Sequence, residues 1–257
     1  MNFDGLDPVI IAPALAAGIL VTATHVPLGQ QVLKRGIIFI DLAIAQIAAL
    51  GVLLAHSLGL EGSVVGVQVT AFGSALLGAL TLYQCERRWS HHLEAIIGSV
   101  FVLAATAGIL LLANNPHGGE HLKDLLVGQI LWVNMNQLLP VVLLYTAVLA
   151  TWYGLGAERR PALFYILFSL VVTASVQLVG IYLVFAALII PALAVRRLVM
   201  PCQSLMAGYL LSLAGFASGL VVSALFDLPS GAVIVWMLAG IGILVSSLIA
   251  SRHRHAG

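Results

Sequence analysis

Long apolar runs alternate with short polar segments along the whole of this chain. A helix needs roughly 20 largely apolar residues to cross the hydrocarbon layer of a membrane. The runs cover residues 9–28, 37–57, 63–83, 93–113, 137–155, 162–195, 204–226 and 230–250. Because 162–195 is too long for one crossing, we divide it at a turn near Gln177–Gly180. The pattern predicts an all-α, polytopic membrane bundle of about nine transmembrane helices.

The positions of the basic residues support this alternation of crossings. If each run crosses once, every Lys and Arg except Lys123 falls on one side of the membrane. That side holds Lys34, Arg35, Arg87, Arg88, Arg159, Arg160, Arg196, Arg197, Arg252 and Arg254. Because cytoplasmic loops are enriched in Lys and Arg, the sequence predicts an N-terminus outside the cell and a cytoplasmic C-terminus.

The remaining segments are short. Residues 125–136 cannot span a membrane, and we expect them to be partly inserted or interfacial. No linker divides the chain, so residues 1–257 are expected to form a single transmembrane domain. The first apolar run lacks the positive leader and the cleavage site of a secretory signal, so it should stay in the mature protein.

Composition excludes several classes of protein. The chain is 61% hydrophobic and 8% charged, whereas an ordinary soluble domain carries roughly a quarter charged residues, so a water-soluble fold is excluded. A net charge of +1 gives no general attraction for nucleic acid. Cys85 and Cys202 lie beside basic clusters that we place in the reducing cytoplasm, so they are expected to be thiols.

Two acidic residues fall inside predicted spans, where charge is costly and by default indicates function. Asp41 lies six residues after Arg35, and Glu94 lies six residues after Arg88. One interpretation is that each acid occupies the first turns of its helix, where the helix dipole and the neighbouring Arg stabilise it. The other is that both face a translocation path and bind a metal cation. Gln46 would then be a neutral contact, or simply a hydrogen bond between helices.

A second group of candidate ligands lies on the predicted outer face, in the segment from Pro116 to Asp124. Its residues able to contact a divalent metal are His117, Glu120, His121 and Asp124. The two glycines in this segment argue against a helix, and the zinc-protease pattern is absent. The alternative is a solvated, docking or structural loop.

Sequence motifs for nucleotide and acyl chemistry are absent. The chain has no Gly-x-x-x-x-Gly-Lys-Ser/Thr loop for nucleotide phosphates and no Gly-x-Ser-x-Gly elbow for a serine nucleophile. No nucleophile and base pairing supports an intramembrane enzyme. If the protein uses ATP, another chain must bind it.

Several segments, in order, resemble the permease subunits of the metal-ion ABC transporters (ABC-3 type), which import zinc, manganese or iron in bacteria. The longest is Leu178-Val-Gly-Ile-Tyr-Leu-Val-Phe-Ala-Ala-Leu-Ile-Ile-Pro-Ala-Leu-Ala-Val-Arg-Arg197. The others are Lys34-Arg-Gly-Ile-Ile-Phe-Ile-Asp41, Glu94-Ala-Ile-Ile-Gly98, Leu126-Val-Gly-Gln-Ile-Leu131 and Asp227-Leu-Pro-Ser-Gly-Ala232. This chain departs from the pattern at Ala45, where the family has a His four residues after its Asp, and at Gln129, where it has an Asp.

The resemblance implies an ABC importer permease in the cell inner membrane. It implies a homodimer, a separate ATPase, an extracytoplasmic metal-binding protein, and a divalent metal as substrate with no bound cofactor. We expect the cytoplasmic loop containing Arg196, Arg197, Leu198, Met200 and Pro201 to contact the ATPase. The alternative hypothesis is an ion-coupled secondary transporter without an ATPase, a class that often shows two related halves.

Overall fold

The computed structural model describes residues 8–60, 62–113, 118–128 and 130–255, and all regular secondary structure within them is helical. The α-helices are α1 (Pro8–Arg35), α2 (Ile40–Ser57), α3 (Val64–Trp89), α4 (Leu93–Leu112), α5 (Gly118–Val127), α6 (Met135–Gly154), α7 (Pro161–Val179), α8 (Ile181–Val195), α9 (Pro201–Phe226) and α10 (Ser230–His255). The prediction of an all-α protein is confirmed.

Helix breaks fall where the polar and glycine signals placed them. Gly180 separates α7 from α8 with a φ of +82°, a conformation that glycine adopts without a steric penalty. The turn after α9 begins at Asp227, which has a φ of 53°. There the Leu228 amide donates to the Ser223 carbonyl at 3.1 Å, and Ser223 Oγ donates to the Leu228 carbonyl at 2.6 Å.

Seven helical segments of the described chain are long and apolar enough to cross a membrane. One of them, Val64–Leu112, has 49 residues and contains α3, a 3-10 turn at Ser90–His92, and α4. α8 has only 15 residues, about 22 Å at 1.5 Å per residue. The predicted number of crossings and the predicted orientation therefore stay predictions.

The chain divides into two compact units. The first contains α1, residues 127–143 with the start of α6, and α8 to α10. The second contains α2 to α4, all of α5 except Val127, the rest of α6, and most of α7.

In the first unit, α1 and α9 pack antiparallel along a seam of residues spaced four apart. The seam pairs Gly18 with Phe216, Thr22 with Ser212, Val26 with Gly208, and Gln30 with Ser204. A spacing of four keeps residues on one helix face. The Thr22 and Ser212 hydroxyls are 2.8 Å apart, and such bonds between helices in lipid contribute about 0.6 kcal/mol on average.

Close backbone approach holds α8 inside the same unit. A Cβ atom placed on Gly29 of α1 would lie 2.0 Å from the Leu188 carbonyl oxygen of α8. Eleven of the 15 residues of this apolar helix are buried. Glycine on α1 therefore brings the two helix backbones together, as small residues do in membrane bundles.

Three glycines form a second close junction in this unit. A Cβ on Gly128 would lie 2.2 Å from the Val179 carbonyl, one on Gly180 would lie 2.4 Å from the Gly128 nitrogen, and one on Gly231 would lie 2.3 Å from the Val127 carbonyl oxygen. The junction joins the start of α8, the start of α10 and the segment after α5. Any side chain there would push the three backbones apart.

In the second unit, contacts with α2 fix the directions of α3 and α4. Residues Ile47 and Gly51 of α2 meet Gly78 and Ala71 of α3, so α3 runs antiparallel to α2. Phe39 and Leu53 of the α2 segment meet Glu94 and Gly108 of α4, so α4 runs parallel to α2. The chain therefore reverses direction between α3 and α4.

The segment after residue 117 differs from expectation. Gly118 and Gly119 are the first two residues of α5, so the expectation that these glycines would prevent a helix was wrong. Glycine is tolerated at a helix start, because the first amides lack intrahelical partners in any case. Residues 125–136 hold the end of α5, a 3-10 turn at Ile130–Trp132, and the start of α6.

Candidate functional site

Asp41 lies in the first turn of α2, in the second unit. Gly36, with a φ of +70°, follows the last residue of α1, and the chain restarts as a helix at Ile40. Asp41 is 0% exposed, although it is charged in its ordinary form. Neither of its carboxyl oxygens has a hydrogen-bond partner among the described residues. The helix dipole favours an anion at this position but leaves both oxygens available to a ligand.

Glu94 lies in the first turn of α4 and reaches the start of α2. Its Oε1 accepts a hydrogen bond from the Phe39 backbone N–H at 3.1 Å, and Phe39 is the N-cap residue of α2. An acid that accepts the N-cap amide stabilises a helix start, as in a capping box. The buried Oε2 of Glu94 has no hydrogen-bond partner within the described ranges of the chain. Glu94 therefore combines a structural contact with a second available oxygen.

These contacts place two acids at one helix start. Glu94 bonds to Phe39, and Asp41 follows two residues later. The interpretation that each acid is stabilised by its own helix start is thus incomplete for Glu94, which caps the neighbouring helix. The arrangement supplies carboxylate oxygens, the donors that hard divalent cations prefer.

Gln46 is buried, at 7% exposed, in the same helix. It lies five residues after Asp41, which is roughly 140° around a helix of 3.6 residues per turn. Ala45, four residues after Asp41, shares the face of the acid more closely. The residue above Asp41 on its own helix face is therefore apolar.

The predicted outer cluster is not described in detail. His117 lies outside the described residues, and the side chains of Glu120, His121 and Asp124 are likewise outside them, although these three belong to α5. Within the described part of the chain, no three His, Cys, Asp or Glu side chains form a group that could hold a metal ion.

The predicted coupling loop connects α8 to α9. Arg196, Arg197, Met200 and Pro201 are exposed, and Leu198 is half-buried. The Leu198 amide donates to the Val195 carbonyl at 2.9 Å, and Pro201 begins α9, where the absence of an N–H costs nothing. The two arginines also border a cavity of about 530 Å³ between the ends of α8 and α10. The loop is thus short, exposed and fixed at both ends.

A buried histidine of α1, His25, was not predicted as a candidate from the sequence; it is 0% exposed. The signal was present, because His25 lies inside the first predicted span and the rule for ionisable residues in membranes applies to it.

The comparisons with known proteins agree along most of the chain. The sequence profile of the ABC 3 transport family matches residues 8–152 and 145–250. The manganese transport system membrane protein MntC of Halalkalibacterium halodurans is 29% identical to this chain, and the alignment covers 86% of this chain and 81% of MntC. The high-affinity zinc uptake system membrane protein ZnuB of Haemophilus influenzae is 22% identical, and the alignment covers 88% of this chain and 92% of ZnuB.

Two solved structures share the fold. A chain of PsaBC from Streptococcus pneumoniae, solved in complex with Fab, superposes with a TM-score of 0.76 at 21% identity and covers 95% of both chains. A metal-chelate type ABC transporter in an inward-facing conformation gives a TM-score of 0.66 at 20% identity, covering 98% of this chain and 90% of that one.

Proposed function

This chain belongs to the ABC 3 transport family, and on that premise we propose that it moves a divalent metal ion (zinc, manganese or iron) into the cell. It is a membrane-spanning transport permease and not an enzyme, since ATP hydrolysis in such transporters resides on a separate chain. Family membership favours this function over the alternative of a secondary transporter. The named manganese and zinc relatives support a divalent substrate.

The observation that carries the proposal is the carboxylate of Asp41. It is buried in an apolar helix, and neither of its oxygens has a hydrogen-bond partner among the residues that the structure describes. Such a group costs several kcal/mol unless a charge or hydrogen bonds compensate it. A passing cation supplies that compensation. We assign Asp41 and Glu94 as oxygen ligands of a translocation path that hold the ion weakly enough for it to leave.

The other predicted contacts stay part of the proposal. Gln46 is a neutral contact further along α2, supported by its burial. His117, Glu120, His121 and Asp124 form an outer metal-contact segment, supported by their residue types. The metal is the substrate, and no resident cofactor is proposed.

The proposed topology has about nine crossings, with the N-terminus outside and the C-terminus in the cytoplasm. Two observations support it. The reversal between α3 and α4 divides the 49-residue apolar segment into two helices of opposite direction. The antiparallel pairing of α1 with α9 agrees with opposite crossing directions for these helices.

The proposed assembly is a homodimer in the inner membrane, with an ATPase on its cytoplasmic face and an extracytoplasmic metal-binding protein outside. Arg196, Arg197, Leu198, Met200 and Pro201 form the ATPase contact. The short loop is joined directly to α8, which is buried within its unit. A short, rigid connector transmits movement better than a flexible one.

Co-purification tests the assembly. The tagged chain, extracted in mild detergent from its native membranes, should bring down a nucleotide-binding chain that hydrolyses ATP. Replacing Arg196 and Arg197 with Ala should reduce the recovered ATPase, whereas the same change at Arg159 and Arg160, on another basic loop, should leave it unchanged. Recovery of the permease with no ATP-hydrolysing partner would contradict the proposal.

A further inference from the structure

His25 lies near the middle of α1 and is fully buried. The elements that pack most closely on α1 in the first unit are α8, α9 and the turn Ile130–Trp132. None of these three elements contains Asp, Glu, Lys or Arg. The imidazole is therefore held in an apolar part of the bundle with no charged residue on those elements to account for it.

The local hydrogen bonds fix which ring nitrogen carries the proton. His25 Nδ1 lies 2.9 Å from the Val21 carbonyl oxygen, which can only accept a hydrogen bond. Nδ1 must therefore be the donor. Thr24 Oγ1, 3.1 Å from the same nitrogen, donates its own proton to the Val21 carbonyl at 3.2 Å and can accept from Nδ1.

In the neutral imidazole, this arrangement leaves the lone pair on Nε2. Nε2 is buried and has no hydrogen-bond partner in the part of the chain that the structure describes. Metal-binding histidines commonly donate their other ring N–H to a backbone carbonyl, which fixes the tautomer and the ring orientation. The hydrogen bond from His25 Nδ1 to the Val21 carbonyl is of this kind.

A break in the helical hydrogen bonding coincides with His25. Pro27 lies inside α1 and has no N–H to donate to the carbonyl of Ala23, four residues earlier. Tyr209 of α9 compensates by donating its hydroxyl to the Ala23 carbonyl at 3.3 Å. The helix continues through this position, since proline is tolerated inside a membrane helix where a neighbouring helix satisfies the freed carbonyl.

We propose that His25 Nε2 is a nitrogen ligand for the transported cation, two residues before Pro27 in α1. The inference rests on the proposed metal-transport function. Imidazole suits zinc and iron, whereas manganese prefers oxygen donors. His25 would therefore contribute to selectivity, favouring zinc-like ions over harder ones. A ligand of this kind binds transiently and gives up the ion as it moves on.

The test compares zinc and manganese uptake by the intact transporter in a host that lacks its own high-affinity systems for both. His25→Gln replaces the nitrogen ligand with an amide. The zinc concentration for half-maximal uptake should rise about tenfold or more, the order found when a metal site loses a supporting group. The value for manganese should change far less, because the amide oxygen suits it.

Thr22→Val is the matched control. It removes a buried polar contact of the same helix, the bond to Ser212, without removing a metal ligand, so the ratio of zinc to manganese uptake should not change. Membrane abundance and thermal unfolding of each variant show that it folds.

The outcomes separate the inference from the proposed function. An unchanged ratio in His25→Gln, or an equal loss for both metals, would overturn the role of His25. Uptake of manganese without zinc by the unmodified chain would also overturn it, but would leave metal transport intact. The same assay is run with ferrous iron, the third proposed substrate. Uptake of none of zinc, manganese and iron by the unmodified chain would contradict the proposed function, and the inference would fall with it.

Discussion

Asp41 has a carboxylate placed where the described chain gives it no hydrogen-bond partner. At the level of single residues, such a group is costly to the fold, and inside a membrane span it is by default a candidate for function. His25 Nε2 likewise has no hydrogen-bond partner among the described residues. Both differ from the buried hydroxyls of Thr22 and Ser212, which satisfy each other. In the proposed path, the Asp41 oxygens and His25 Nε2 are therefore available to an ion, whereas the Thr22 and Ser212 hydroxyls are not.

Asp41→Asn is expected to abolish metal uptake while leaving the fold intact. It removes a charge that no described residue compensates, so the midpoint of thermal unfolding should stay the same or rise. Asp227→Asn, at an exposed turn outside the helices, is the control and should transport normally. A variant at Asp41 that unfolds earlier would instead indicate a structural role.

Two substitutions of Glu94 separate its contact with the start of α2 from its proposed role as a metal ligand. Glu94→Gln keeps an oxygen that can accept the Phe39 amide but removes the charge, so uptake should fall at normal stability. Glu94→Ala also removes the cap, at a cost of about 1 kcal/mol, so stability should fall as well. Full uptake by Glu94→Gln would show that Glu94 is a cap and not a ligand.

At the scale of helices, glycine positions determine which backbones meet. Gly231 lies against the Val127 carbonyl oxygen, whereas a Cβ on Gly240 of the same helix would meet nothing within 4 Å. Both positions are glycines of α10, but the first is tightly packed against backbone and the second has open space around it. They form a natural pair for testing the packing of the first unit.

Gly231→Ala should destabilise the protein by roughly 1–3 kcal/mol, because the new methyl group forces the junction of three backbones apart. Gly240→Ala should be neutral or slightly stabilising, since alanine is the better helix former. Thermal unfolding in one detergent measures both. Equal midpoints for the two variants would contradict the packing described for the junction.

Helix positions could be predicted from the sequence because lipid allows no unsatisfied backbone, so apolar length and polar breaks are directly readable. The break at Gly180 and the turn at Asp227 are examples. The start of α5 at Gly118 was missed, because helix propensity was given more weight than position within the helix. The partners of each helix could not be predicted from apolar periodicity, since apolar residues face both lipid and protein.

In the candidate site, too, some residues could be predicted from the sequence and others could not. Asp41 and Glu94 were found because charge within an apolar run is rare. The bond from Phe39 to Glu94 joins residues 55 apart in the chain, and nothing local predicts it. His25 was overlooked because a lone histidine does not interrupt an apolar run, and its importance depends on which ring nitrogen is left without a partner.

At the scale of the whole molecule, topology can be read from the two native cysteines. Cys202, exposed at the start of α9, and Cys85, near the end of α3, are both free thiols and both are predicted to be cytoplasmic. A membrane-impermeant thiol reagent should label Cys202 in inside-out vesicles and not in right-side-out vesicles. Ser57→Cys, at the opposite end of α2, in a chain without the native cysteines, should show the reverse.

As a whole, the chain is proposed to form a metal path driven by a separate ATPase. The most direct measurement is uptake of zinc and manganese by vesicles that contain the chain with its co-purified ATPase and binding protein, with and without ATP. We expect uptake to require ATP and to be lost in Asp41→Asn. Uptake driven by an ion gradient in the absence of ATP, or equal uptake by Asp41→Asn, would contradict it.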